Sequence, residues 1–190
     1  YIEGDEVLHE KDLPNIRQAM EQHLDDDNVE ALVFDYLHFY GNISTYAWSP
    51  AWYRQSARII KRSVRGVSPD SLFWTILHSN KKARYPKAAL ANATMYHYGH
   101  VRTKEQMALK RSHMHQYGCD LDFDESQFDY ANIDPKTLHT FNTSHPQGVE
   151  AFFPPAEAVM QGNPNYQLSR RERKNRIGLA IEKLIGCELS

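Results

Sequence analysis

The chain is poor in cysteine. Cys119 and Cys187 are its only two, and they match no metal-binding or redox spacing, so neither a disulfide framework nor a zinc ribbon is expected. A reducing compartment is the simplest reading. No run approaches the 18 apolar residues of a membrane-spanning helix. Neither sign of charge dominates: 22 Lys and Arg stand against 24 Asp and Glu, a net charge of -2, which argues against nucleic acid as an obligatory partner. Internal repeats and low-complexity tracts are absent. The ten histidines include no His-Glu-x-x-His, and His113 and His115 lie about 200° apart on a helix, so they share no ligand face.

What remains is an ordinary soluble composition with an aromatic surplus. At 190 residues the chain can bury a real core. Asp12–Leu24 reads as a helix, with Asp12 as N-cap, Pro14 in the first turn, and Leu13, Ile16, Met20 and Leu24 as its apolar stripe. Val29–Tyr40 reads as a strand broken at Gly41-Asn42. Further strands are expected at Ala57–Lys61, Leu72–Leu77 and Thr94–Tyr98, with a turn at 66–70 and a basic irregular segment at 81–87. Thr103-Lys-Glu-Gln106 resembles a capping box opening a helix to about Tyr117. Residues 119–166 are rich in Asp, Asn and Pro and read as loop. Arg170–Ile185 is a basic amphipathic helix with Ile177, Ala180, Ile181 and Leu184 on one side. Strands early and helices around them place the chain in the α/β or α+β class. A division into 1–118 and a loop-rich extension 119–190 is expected.

Several constellations carry chemistry. Tyr1-Ile2 runs into Glu3, Asp5 and Glu6, and carboxylates crowded past a strand are tolerated when a cation sits among them. Mg²⁺ or Mn²⁺ with substrate phosphates is the usual occupant; an acidic turn capping the next helix is the plainer alternative. In Tyr96-His97-Tyr98-Gly99-His100-Val101-Arg102, His97 ends a strand where α/β sheets place ligand groups, and Arg102 suits a phosphate. Packing at a strand end is the competing reading. Asp70, before an apolar strand, is either a general base or a turn residue. Trp48, Trp52 and Tyr53 lie on a loop between strands and fit either a stacking platform or the core. The basic 170–185 helix is either a docked helix with a solvated face or a contact to anionic lipid.

Taken in order, these pieces resemble the C-terminal part of a bacterial glycosyltransferase of family 2. The resemblance rests on Tyr-Ile-Glu-Gly-Asp-Glu-Val-Leu-His-Glu at the start, Tyr36-Leu-His-Phe-Tyr-Gly41 in the middle, and Tyr96-His-Tyr-Gly-His-Val-Arg102 late. It continues through Phe128-Asp-Tyr130 and Thr143-Ser-His-Pro146. It implies a GT-A, Rossmann-like mixed sheet flanked by helices, incomplete at the N-terminus, with a loop-rich C-terminal extension ending in a helix. It implies inverting transfer of a sugar from a nucleotide-sugar donor to a saccharide, lipid-linked or protein hydroxyl acceptor. Glu3 and Asp5 fall on the two acidic positions of the Asp-x-Asp motif, Asp5 being the better ligand because Glu3 stands where Asp is usual. His97 falls on the late metal-ligating histidine, and Asp5 and His97 are expected to share one Mn²⁺ or Mg²⁺. Glu6, next to Asp5, is placed to orient a ligand or the sugar, and Asp70 lies near where the family's catalytic base is expected; Arg102 joins Glu6 as a donor-binding candidate through its fit to a phosphate. The family binds the nucleotide base and ribose with βαβ units preceding this region, so upstream chain is expected and weak or no activity without it. A cytoplasmic location, at the inner face of a membrane, follows from the same resemblance. A non-catalytic carbohydrate- or partner-binding module and a metal-dependent hydrolase are the alternatives.

Overall fold

A computed structural model describes residues 1–68, 73–78, 82–116, 128–153 and 159–186. The protein is mixed α/β, with a mixed sheet and helices. Its elements are β1 (Glu6–Leu8), α1 (Leu13–His23), β2 (Ala31–Tyr40), β3 (Asn42–Ala47), β4 (Gln55–Ile60), β5 (Gly66–Val67), β6 (Thr75–Leu77), β7 (Ala83–Arg84), β8 (Ala88–His100), α2 (Lys104–Gln116), β9 (Leu138–Thr140), α3 (Val149–Phe152) and α4 (Arg170–Ile185). The chain forms two compact units: residues 1–37 with 53–96, and residues 38–52 with 97–190. Strands β2 and β8 contribute residues to both. They run parallel: Glu30 N–H donates to the Lys87 carbonyl before them and Gly41 N–H to the His100 carbonyl after them.

In the first unit β1, β8 and β2 are neighbours in that order, and β4 pairs antiparallel with β2 through Ala31↔Ile60 to Asp35↔Gln55. Strands β5, β6 and β7 make a separate three-stranded sheet. The core gathers Leu32, Phe34 and Tyr36 of β2 with Ala91, Ala93 and Met95 of β8, alternate positions that point to one face. Helix α1 covers them with Ile16 and Ala19. The expected stripe is therefore rotated: Leu13, Met20 and Leu24 are exposed, and Asp12 is buried instead. Polar anchors set that rotation. The Asp12 carboxylate accepts the Thr94 N–H at 3.1 Å, and the Asn15 amide donates to the Asn92 carbonyl at 3.0 Å. The turn expected at 66–70 contains the β5 strand, and the basic segment 81–87 contains β7. The strand expected at Thr94–Tyr98 is longer, beginning at Ala88.

In the second unit β3 pairs with the end of β2, and β9 with β3. The sequence reading missed β3 and β9, which are short. Gly41 turns the chain between β2 and β3 at φ +73°, and the Met160 side chain lies 2.7 Å from where a Cβ would stand, so only glycine fits. Tyr40, Ala47, Met107 and Tyr130 form the core here, with Trp52, Ile133 and Leu138 around them. The capping box of α2 is present: Thr103 Oγ1 accepts the Gln106 N–H, and Gln106 Oε1 accepts the Thr103 N–H. A second box, Ser169 with Glu172, starts α4, and Gly186 ends it in the left-handed conformation. Among the described residues no helix is long and apolar enough to cross a membrane.

One ion pair in the first unit gives an acid signature. Arg84 grips the Glu30 carboxylate with both terminal nitrogens at 2.6 Å, and the Lys87 N–H adds a third bond at 2.8 Å. The Arg84 bonds outweigh burial and lower the Glu30 pKa from 4.5 to about 2. A depressed carboxyl stabilises the fold fully above its unfolded value and loses that contribution as pH falls toward the folded one. Glu30→Gln should therefore cost about 1 kcal/mol near neutrality, the upper end for a partly solvated pair. The gap to wild type should close between pH 4.5 and about 2. Urea unfolding of both proteins across that window checks it, and a gap constant with pH refutes it.

Candidate functional site

The acidic opening is built around an internal cation. Glu6 starts β1, and its carboxylate is fully buried against Arg58 of β4, which is 1% exposed. Arg58 Nη2 donates to Glu6 Oε1 at 2.7 Å and to Glu3 Oε1 at 3.2 Å, and Nε donates to Glu6 Oε2 at 3.1 Å. Nη1 donates to Ser56 Oγ at 2.9 Å and to the Ala57 carbonyl at 3.4 Å, so every N–H of the guanidinium has an acceptor. The Tyr36 hydroxyl donates to Glu6 Oε1 at 2.7 Å, and the Glu3 N–H to Oε2 at 3.1 Å. The Arg58 guanidinium also lies over the Tyr36 ring, 5.2 Å from its centroid.

Burial alone would raise the Glu6 carboxyl. The Arg58 bonds, the Glu3 N–H and the Tyr36 hydroxyl outweigh it and hold Glu6 below its ordinary value. Burial first, then the Glu6 charge, push the Tyr36 hydroxyl up against the opposing Arg58 charge, which keeps it a donor. Tyr53, edge-on to Tyr36 at 4.9 Å, is raised by burial and by the charges of Glu6, Glu3 and Asp5. Asp5 is half-buried on the turn between Glu3 and Glu6.

The second unit carries a histidine and aromatic cluster at the carboxyl ends of β2 and β8. His38 and His97, both buried, meet through their Nδ1 atoms at 3.1 Å. That bond needs one Nδ1–H and one Nδ1 lone pair, so the tautomers of the two rings are coupled. Trp52 packs on His38 at 5.2 Å and on His100 at 4.9 Å, and Tyr40 stands 6.0 Å from Trp52. The opposite sheet face carries Phe39 stacked on Tyr98 at 4.6 Å. There the Tyr98 hydroxyl and His145 Nδ1 are 2.9 Å apart. Two-residue alternation along β2 separates the two groups.

Glu3, Asp5 and Glu6 thus belong to the first unit, and His97 and Arg102 to the second. Glu3 and Glu6 come together on Arg58. Arg102 is exposed, and its Nε donates to the Gly99 carbonyl at 3.3 Å. Asp70 lies outside the described residues. Of the three aromatics read as a platform, Tyr53 packs into the first unit's core, whereas Trp52 faces the histidines. The sequence reading missed two contributors, Arg58 and His38. Each had a signal: an arginine inside the apolar run Ala57-Arg-Ile-Ile60, and a histidine inside the strand Val33–Tyr40. A polar group in such a run needs a buried partner.

A shallow cleft of about 350 Å³, open solvent included, lies among Trp52, Thr137, Asp134, Arg176 and Leu179. Its charges satisfy one another: Arg176 donates to both Asp134 oxygens, at 2.7 and 2.6 Å, and holds that carboxyl below its ordinary value. Among the described residues no three His, Cys, Asp or Glu side chains converge as a protein cage requires. A cation taking one or two side chains and completing its shell with substrate phosphates is compatible with these residues. Compared with known protein families, curated proteins and solved structures, the chain matches none.

Removing either member of the buried pair should expose its energetics. Arg58→Leu strands the Glu6 charge and should cost about 3–5 kcal/mol. Glu6→Leu with Arg58→Leu should recover most of that loss. Chemical unfolding of the two single variants and the double gives the coupling, and additive losses would disprove it.

Proposed function

We propose that this chain has the chemistry of a GT-A-type inverting glycosyltransferase that moves a sugar from a nucleotide donor to a hydroxyl acceptor. The observation that supports it most is buried His97, at the carboxyl end of one of two parallel strands with an aromatic wall beside it. That is where α/β sheets present ligand groups. The order of the acidic opening, the middle strand and this histidine adds the sequence pattern of family 2.

In this reading His97 presents a ring nitrogen to the donor's diphosphate region, and His38 fixes its orientation and tautomer. Trp52 offers an apolar face suited to a sugar ring. Arg58 holds Glu6 ionised and pairs with Glu3, so the turn that carries Asp5 is fixed before any ligand arrives. A bound Mn²⁺ or Mg²⁺ would offset charge on the leaving nucleoside diphosphate. Asp70 is the proposed base toward the acceptor hydroxyl. A non-catalytic carbohydrate- or partner-binding module is the second reading, favoured by the way Arg58 already engages both Glu3 and Glu6.

Titration calorimetry separates the two. A transferase should give little heat with Mn²⁺ alone and clear binding with Mn²⁺ and a nucleoside diphosphate together. Asp5→Ala and His97→Gln should each weaken that binding at least about tenfold, a loss of roughly 1.4 kcal/mol. Binding indifferent to the cation and to both substitutions would favour the module and defeat the transferase.

A further inference from the structure

Helix α4 turns outward the side that its sequence would dock. Ile177, Ile181, Leu184 and Ile185 are 62%, 42%, 87% and 49% exposed. The inner side is polar: Glu172, Asn175 and Arg176 are half-buried and Glu182 is buried, with Leu179 among them. Three interactions fix this orientation. Arg176 forks onto Asp134, the Tyr166 hydroxyl donates to Glu172 at 2.7 Å, and the Ser169 capping box holds the first turn.

The outward sector is both apolar and basic. With 100° per residue, Leu184, Ile177, Arg170, Ile181, Lys174 and Ile185 fall within about 100° of arc. Arg173 and Arg171 border it, and all four cations are exposed. None of the four makes a side-chain ion pair among the described residues. Both carboxylates of the helix, Glu172 and Glu182, lie on the inner side. This concentration is local, because the chain as a whole carries a net charge of -2.

We propose that the outer face of α4 docks on an anionic phospholipid surface, with its basic first turns on the headgroups and the isoleucine and leucine side chains in the acyl boundary. A convex row of protruding apolar side chains suits a deformable bilayer. A second copy meeting it through the same helix face would bring only like charge. The inner anchors keep the helix formed, so docking requires no refolding. The inference stands whether or not the transferase reading holds.

Vesicle flotation of the 190-residue chain tests it. The chain should float with phosphatidylcholine vesicles containing phosphatidylglycerol and remain behind with pure phosphatidylcholine. Ile177→Ser, Ile181→Ser and Leu184→Ser together should reduce partitioning more than about tenfold. Arg170→Gln, Arg173→Gln and Lys174→Gln should each reduce it roughly fivefold, and added salt should act in the same direction. Both sets are exposed, so unchanged circular dichroism and unfolding midpoints verify the fold. No flotation with anionic vesicles, equal flotation with neutral ones, or wild-type flotation of the triple serine variant would overturn the proposal. So would polyglutamate that binds as tightly as vesicles and displaces them.

Discussion

The buried contact between Arg58 and Glu6 constrains the first unit more than any other interaction. It joins β1 to β4, and through the Tyr36 hydroxyl it reaches β2 as well. Taking a guanidinium and a carboxylate out of water costs several kcal/mol per ion, so the pair adds little net stability compared with apolar residues of similar shape. Its effect is on geometry. Every donor of the guanidinium has an acceptor, so displacing either β1 or β4 would strand charge in a low-dielectric interior. The acidic opening therefore owes its shape to a protein cation.

The second unit is organised by alternation. On β2, His38 and Tyr40 face one way and Phe39 the other, and on β8, His97 and Tyr98 divide in the same manner. Parallel strands bring equivalent ends together, which sets two imidazoles in contact while Phe39 and Tyr98 stack on the far face. A buried imidazole pair is polar chemistry inside an aromatic wall. It is satisfied only because each ring can be both donor and acceptor.

Much of the fold was legible in the sequence, and the misses have physical causes. Both capping patterns depend on residues three apart, and the Thr103 box and the Arg170–Ile185 helix stand where their local signals place them. Strands β3, β5, β7 and β9 are short, and two to six residues carry too little periodicity to separate a strand from a loop. The two helix faces failed differently. In α1 the bond from the Thr94 N–H to buried Asp12 rotates the helix away from its apolar stripe. In α4 the Arg176–Asp134 fork directs a polar side inward and leaves the isoleucines outside. Of the candidate site, the acidic opening and His97 were visible as residue types at suggestive positions. Arg58 and His38, which govern their surroundings, were not singled out, because their partners are 52 and 59 residues away.

The sequence by itself determined the local features: where helices start and stop, where Gly41-Asn42 breaks a strand, and which residues have ionisable or aromatic chemistry to offer. Those depend on interactions within a turn or two, which neighbouring residues carry in full. Only the tertiary structure decided which charge meets which and which helix face is covered. A buried charge or imidazole is tolerated only beside a partner, and the fold brings that partner from distant chain.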